Sequence, residues 1–137
     1  MDLSTAFSQI HWLAVILATL AAFVIGGLWY SKLLFGNAWS AELKAGESGM
    51  PTGNTAMIFG TSFFLNLVAC IVLAMFLGKS ATLVSGLTAG LLVGVAWVGT
   101  AFGTSYLFSR KSLTLFFIDA GYYVVYYAVM GIILGAM

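Results

Sequence analysis

The stretch Leu113–Ala136, LTLFFIDAGYYVVYYAVMGIILGA, contains a single charge, Asp119, inside otherwise apolar sequence. A helix needs about 20 mostly apolar residues to cross the hydrocarbon of a bilayer, and this run meets that length. Three further windows do the same: Ile10–Tyr30, Ala56–Leu77 and Leu83–Phe108. Strand-period alternation is absent, which argues against a membrane β-barrel. The pattern predicts an all-α fold, an integral membrane four-helix bundle filling residues 1–137 as a single domain.

Composition points the same way. Hydrophobic residues make up 62% of the chain and charged residues 7%, with mean hydropathy +1.09. A water-soluble domain carries about 25% charged residues, so too few are present here to clothe a surface in water. The implied partner is the lipid bilayer. A net charge of +1 gives no electrostatic basis for binding nucleic acid. One cysteine, Cys70, cannot close a disulfide within the chain, and one histidine beside it falls short of a metal set. No cofactor is expected. The first window begins after Met-Asp instead of a basic segment, and its apolar run exceeds that of a signal peptide, so it is read as a retained helix.

Basic residues set the expected orientation. Lys32 and Lys44 follow the first span, and Arg110 and Lys111 follow the third, whereas Lys79 alone lies on the other side. The positive-inside rule places loops 31–55 and 109–112 in the cytoplasm and both termini outside, in the cell (inner) membrane. Short connections, Gly78–Thr82 and Ser109–Ser112, make the last three spans sequential antiparallel neighbours. The long first connection places Leu34, Phe35, Trp39 and Leu43 at near-helical spacing, which suits a short interfacial helix or a linker with apolar anchors. Its second half, Gly46–Asn54, contains the only proline and is expected to be a loop. Trp12, Trp29, Tyr30 and Trp39 fall at predicted interfaces and read as anchors. Trp97, in mid-span, is expected to pack inside the bundle. His11, near the outer end of the first span, reads as structural.

Glycines mark helix packing. Gly86, Gly90 and Gly94 recur every fourth residue in the third span, Gly99 and Gly103 form a second pair on another face, and Gly131 and Gly135 a third in the last span. Such spacing lets backbones approach closely, within the chain or between copies.

Asp119 is the candidate site, because a carboxylate at membrane depth is costly. It lies about 9 Å into its helix at ~1.5 Å per residue. Asn66 and Ser62 on the second span, Thr100 and Thr104 on the third and Tyr123 on the fourth reach similar depth, and together define a candidate polar cluster. Two uses are open. Asp119 titrates or coordinates a cation, or it is a structural group satisfied by hydroxyls, by Asn66, or by Arg110 or Lys32. No G-x-S-x-G, H-E-x-x-H or paired carboxylates within a helix are present, so no catalytic residues are assigned and an enzyme is not expected.

Several of these residues recur in a recognisable order: Trp12-Leu-Ala-Val, then Leu28-Trp29-Tyr30-Ser31, Leu34-Phe35-Gly36-x-x-Trp39, Ile118-Asp119-Ala120-Gly121-Tyr122 and Met130-Gly131. In this the chain resembles the bacterial membrane family called domain of unknown function 1761, over essentially its whole length. The resemblance implies a compact four-helix membrane protein and supplies no activity, cofactor or catalytic residue. Size and helix count are also similar to those of small multidrug exporters, but those depend on a glutamate in the first span, which here has no acidic residue. The expected role is a structural or accessory subunit, in a homo-oligomer or a larger membrane complex. The alternative is a small proton-coupled transporter or channel using Asp119.

Overall fold

The computed structural model describes residues 2–46 and 54–137 and is all-α, with no strand among the described residues. Six helices follow in order. A short α1 (Leu3–Ser8) precedes α2 (Trp12–Trp29), and α3 (Gly36–Gly46) separates α2 from α4 (Thr55–Leu77). Then come α5 (Leu83–Phe108) and α6 (Leu113–Ala136). Of these, α2, α4, α5 and α6 are long and apolar enough to cross a membrane, within two residues of the windows expected from sequence.

Helix starts follow from capping chemistry. At α2 the His11 Nδ1 accepts the Ala14 amide at 3.1 Å, which gives the histidine the structural role expected of it. Asn54 caps α4 through the Met57 amide, and Ser112 caps α6 through the Leu115 amide. Thr82 and Ser85 cap α5 reciprocally. Each satisfies a backbone donor that the first turn leaves without a partner. Asp2 caps α1, and the Thr5 hydroxyl and Ser4 amide hold its carboxyl below the usual range.

The helix ends are equally specific. Gly78, at φ 72° and ψ −176°, takes a backbone conformation essentially open only to glycine and closes α4. At the end of α5 a positive φ is held by an arginine, Arg110, at φ 57°. There the Lys111 amide bonds back to Tyr106 and the Arg110 amide to Leu107, the paired bonds of a Schellman turn. A side chain in that conformation costs roughly 1–2 kcal/mol, which glycine would avoid.

The centre of the bundle is α6. It carries more buried residues than any other described helix, among them Tyr122, Tyr126 and Met130. On one side it meets α2, whose fully buried Ala14, Ala18 and Ala22 form a smooth seam. On the other it meets α5 in direct backbone contact. A methyl group added at Gly86 would land on the Gly131 carbonyl, one at Gly90 on the Tyr127 carbonyl, and one at Gly135 on the Thr82 carbonyl. Two expected glycine sets, Gly86/Gly90/Gly94 and Gly131/Gly135, are therefore the two halves of one intrachain seam.

Within α5, residues Val93–Gly99 form a π-helical segment. Its wider turn brings Gly99 over the Gly94 carbonyl, where a methyl group would be crowded. Gly99 and Gly103 consequently leave the α6 backbone seam. A methyl at Gly103 would meet the ring of Phe116 instead.

The short helix expected in the first connection is present as α3. It starts at Gly36, so Leu34 and Phe35 lie in the preceding turn. Glycine is needed at position 36 because a Cβ there would strike the backbone of Tyr30 and Ser31. The expected loop Gly46–Asn54 lies outside the described residues except at its ends.

The seam makes a direct prediction. Gly131→Ala should destabilise the fold by about 1–3 kcal/mol or more, since two backbones would have to part. Gly60→Ala, with nothing within 4 Å, should be neutral or stabilising by up to about 1 kcal/mol. Equal unfolding midpoints for the two variants in detergent would contradict the seam.

Candidate functional site

Asp119 sits on α6 where the ends of α2 and α5 converge, and it is 8% exposed. Both carboxyl oxygens are engaged. The Tyr30 hydroxyl, immediately after α2, donates to Oδ1 at 2.6 Å. The Tyr106 hydroxyl, near the end of α5, donates to Oδ2. One carboxyl thereby ties three helices together. Its donors are neutral, so the hydrogen bonds meet the requirement of a buried polar group without an ion pair.

A second bond runs alongside. The Trp29 indole N–H donates to the Ile118 carbonyl at 2.9 Å, and the Trp29 ring lies against Gly121, where a side chain would crowd it. Tyr30 is wedged edge-on between Trp39 of α3 and Tyr122 of α6, with centroids 5.4 and 5.5 Å away. On the far side, the Lys111 amine lies 5.4 Å from the centre of the Tyr106 ring. Further along α6, the Tyr122 hydroxyl donates to the Ala22 carbonyl.

The expected cluster is only partly assembled. Asn66 accepts from the Tyr126 hydroxyl at 3.1 Å, one to two turns beyond Asp119, and does not reach the carboxyl. Ser62 is half-buried on α4 and has no side-chain hydrogen bond among the described residues. Thr100 and Thr104 are exposed, and Thr100 returns its hydroxyl to the Ala96 and Trp97 carbonyls of its own helix. Tyr123 lies beside the site but stacks on Phe102, 5.3 Å between centroids. The groups that do complete the site are Tyr30 and Tyr106.

Trp29 and Tyr30, expected as interface anchors, spend their polar atoms on α6. The signal was their position at the end of a span on the same side as Asp119, with side chains long enough to reach inward. Trp97 was expected inside the bundle but is 65% exposed, because the glycine face of α5 is the one turned to α6. Trp12 is exposed and packs edge-on against Phe7, and Trp39 is half-buried on Tyr30.

Chemically, the site holds a carboxyl still. Both hydroxyl donors are engaged on that carboxyl. Residues 13–135 match the family model described as Protein of unknown function (DUF1761). The chain belongs to this family. No curated protein and no solved structure matches it. In this DUF1761 member the matched segment spans both ends of the latch, from Tyr30 through Tyr106 to Asp119.

Tyr30→Phe and Tyr106→Phe should each lower stability by about 1–2 kcal/mol, the upper part of the range for polar contacts between membrane helices, because the acceptor is a carboxyl group. In an Asp119→Asn background the same changes should cost less, since the partners act as a unit. Unchanged unfolding midpoints for both tyrosine variants would remove the latch.

Proposed function

We propose that the chain is a multi-pass protein of the cell (inner) membrane that serves as a structural or accessory subunit of an oligomer or larger membrane complex. Loops 31–55 and 109–112 face the cytoplasm, and both termini lie outside. The four apolar helices support embedding, and the excess of Lys32, Lys44, Arg110 and Lys111 over Lys79 supports the orientation.

The observation that carries the assembly reading is Trp97. It lies 11 residues before the end of α5, about 16 Å in at ~1.5 Å per residue, and close to mid-bilayer. Its ring is exposed, and its indole N–H has no acceptor among the described residues. Hydrocarbon offers none, and an unsatisfied donor at that depth is costly. A neighbouring subunit supplies the missing acceptor. Beside Trp97, a notch of about 310 Å³ between α4 and α5, lined by Val72, Phe76 and Val98, gives that neighbour a place to pack. Asp119, by contrast, is closed within the chain and fixes the subunit's shape.

One observation favours proton-coupled transport through Asp119 as a second reading. The π-helical segment of α5 packs on α6 near Val124, and such segments are frequent at functional sites.

Native mass spectrometry of the gently extracted protein, with proton flux in proteoliposomes, separates the two. Wild type should give an oligomeric or heteromeric mass. Trp97→Phe, which keeps a ring and removes the N–H, should weaken association by about three- to tenfold. A single-chain mass for wild type overturns the subunit reading. So does a proton flux that Asp119→Asn abolishes while leaving fold and mass unchanged.

A further inference from the structure

We infer that the furrow between α5 and α6 seats one anionic phospholipid, its phosphate held by Lys111 and Arg110 and an acyl chain lying over Gly103 and Gly99. The inference rests on the bilayer-spanning reading above and is independent of the Trp97 face.

The furrow begins at the Ser109–Ser112 turn. Its mouth, a hollow of about 290 Å³, is lined by Lys111, Ser112, Tyr106, Leu107 and Gly103. It continues inward as a hollow of about 360 Å³ over Gly99, Thr100, Ala120 and Gly121. Gly103 and Phe116 line both, so the two hollows adjoin along the helix pair and meet at the Phe116 ring. Its wall is almost wholly apolar below the mouth, with the one hydroxyl, Thr100, already bonded to its own helix. Polar at one end and apolar along its length, the furrow has the polarity of a lipid.

Charge decides which lipid. Arg110 and Lys111 are adjacent, both exposed, and no acidic residue lies in the turn between α5 and α6. Arg110 occupies a left-handed backbone position that glycine would adopt freely. Basic side chains at this level attract anionic headgroups. A second copy of the chain fits less well. In a two-fold pair packed furrow to furrow about the membrane normal, each basic mouth would face another. The lipid would also touch the latch, because the Lys111 amine lies over the Tyr106 ring and the Tyr106 hydroxyl donates to Asp119.

The test mixes the detergent-solubilised protein with equal amounts of phosphatidylglycerol and phosphatidylcholine of identical chains and reads the bound lipid by native mass spectrometry. Wild type should retain one phosphatidylglycerol per chain in clear preference to phosphatidylcholine. Lys111→Gln and Arg110→Gln should each reduce that preference about fivefold. Gly103→Leu leaves the charges in place, fills the furrow and should abolish retention of either lipid. If that variant unfolds, the two charge variants carry the test. Equal retention of both lipids by wild type overturns the inference, as does a preference that survives the double charge variant. A Gly103→Leu variant that keeps its lipid but loses oligomeric mass gives the furrow to a second copy instead. Release of the protein from membranes by alkaline carbonate would overturn the bilayer reading itself, whereas retention in the membrane with no lipid preference would overturn only this inference.

Discussion

Backbone contact between α5 and α6 is the constraint on which the rest of the bundle depends. Where lipid surrounds a protein, burying apolar side chains gains little, and helices associate through close packing and hydrogen bonds. Gly86, Gly90 and Gly94 against Gly131, Gly135 and the Tyr127 carbonyl provide the closest packing two helices can have. The cost is helix propensity, since each glycine is about 1 kcal/mol worse than alanine in a helix. That cost is met only if the partner backbone is held in register along the whole seam.

Two features follow from how the seam ends. After Gly94 the π-helical turn carries α5 out of backbone contact, and at Gly103 the ring of Phe116 stands between the helices. The pair is thus tight at one end and spread at the other. Spreading opens the furrow, and it also leaves the ends of α2, α5 and α6 without backbone contacts to hold them. Asp119 closes that end by accepting hydroxyls from Tyr30 and Tyr106. A single carboxyl has two oxygens and can therefore bind two neighbouring helices at once, which a serine or asparagine at the same point would do less evenly.

The four long apolar helices were legible because length and apolarity survive in sequence without knowledge of packing. Asp119 was legible because its cost is local. Its partners were not, because a shared depth says nothing about direction around the helix. Asn66, Thr100 and Thr104 have suitable chemistry near that level, yet they face Tyr126, their own backbone or the outside. Tyr30 and Tyr106 reach the carboxyl from nearer the helix ends, a reach that spacing at the Cα level does not register. The glycine pattern was read as helix packing, but which sets would meet depended on the π turn, and nothing in the spacing of Gly94 and Gly99 distinguishes a π turn from two faces of a regular helix.

Once the glycine face of α5 is committed to α6, its remaining surface is divided by chemistry. Toward α4 it presents Trp97, whose N–H needs an acceptor that lipid tails do not have. Toward the start of α6 it presents an apolar furrow with Lys111 at its mouth and Arg110 next to it in sequence. In the proposed bilayer setting, a neighbouring protein would relieve the Trp97 donor, whereas a headgroup and its chain would match a cation above an apolar trough. On the proposals above, the same helix would carry one face for a protein neighbour and one for a lipid, and the Tyr106–Asp119 hydrogen bond lies at the mouth of the second. Occupancy of the furrow would act on the end of the bundle that side-chain hydrogen bonds and aromatic packing hold closed, while the glycine seam at the other end keeps its register.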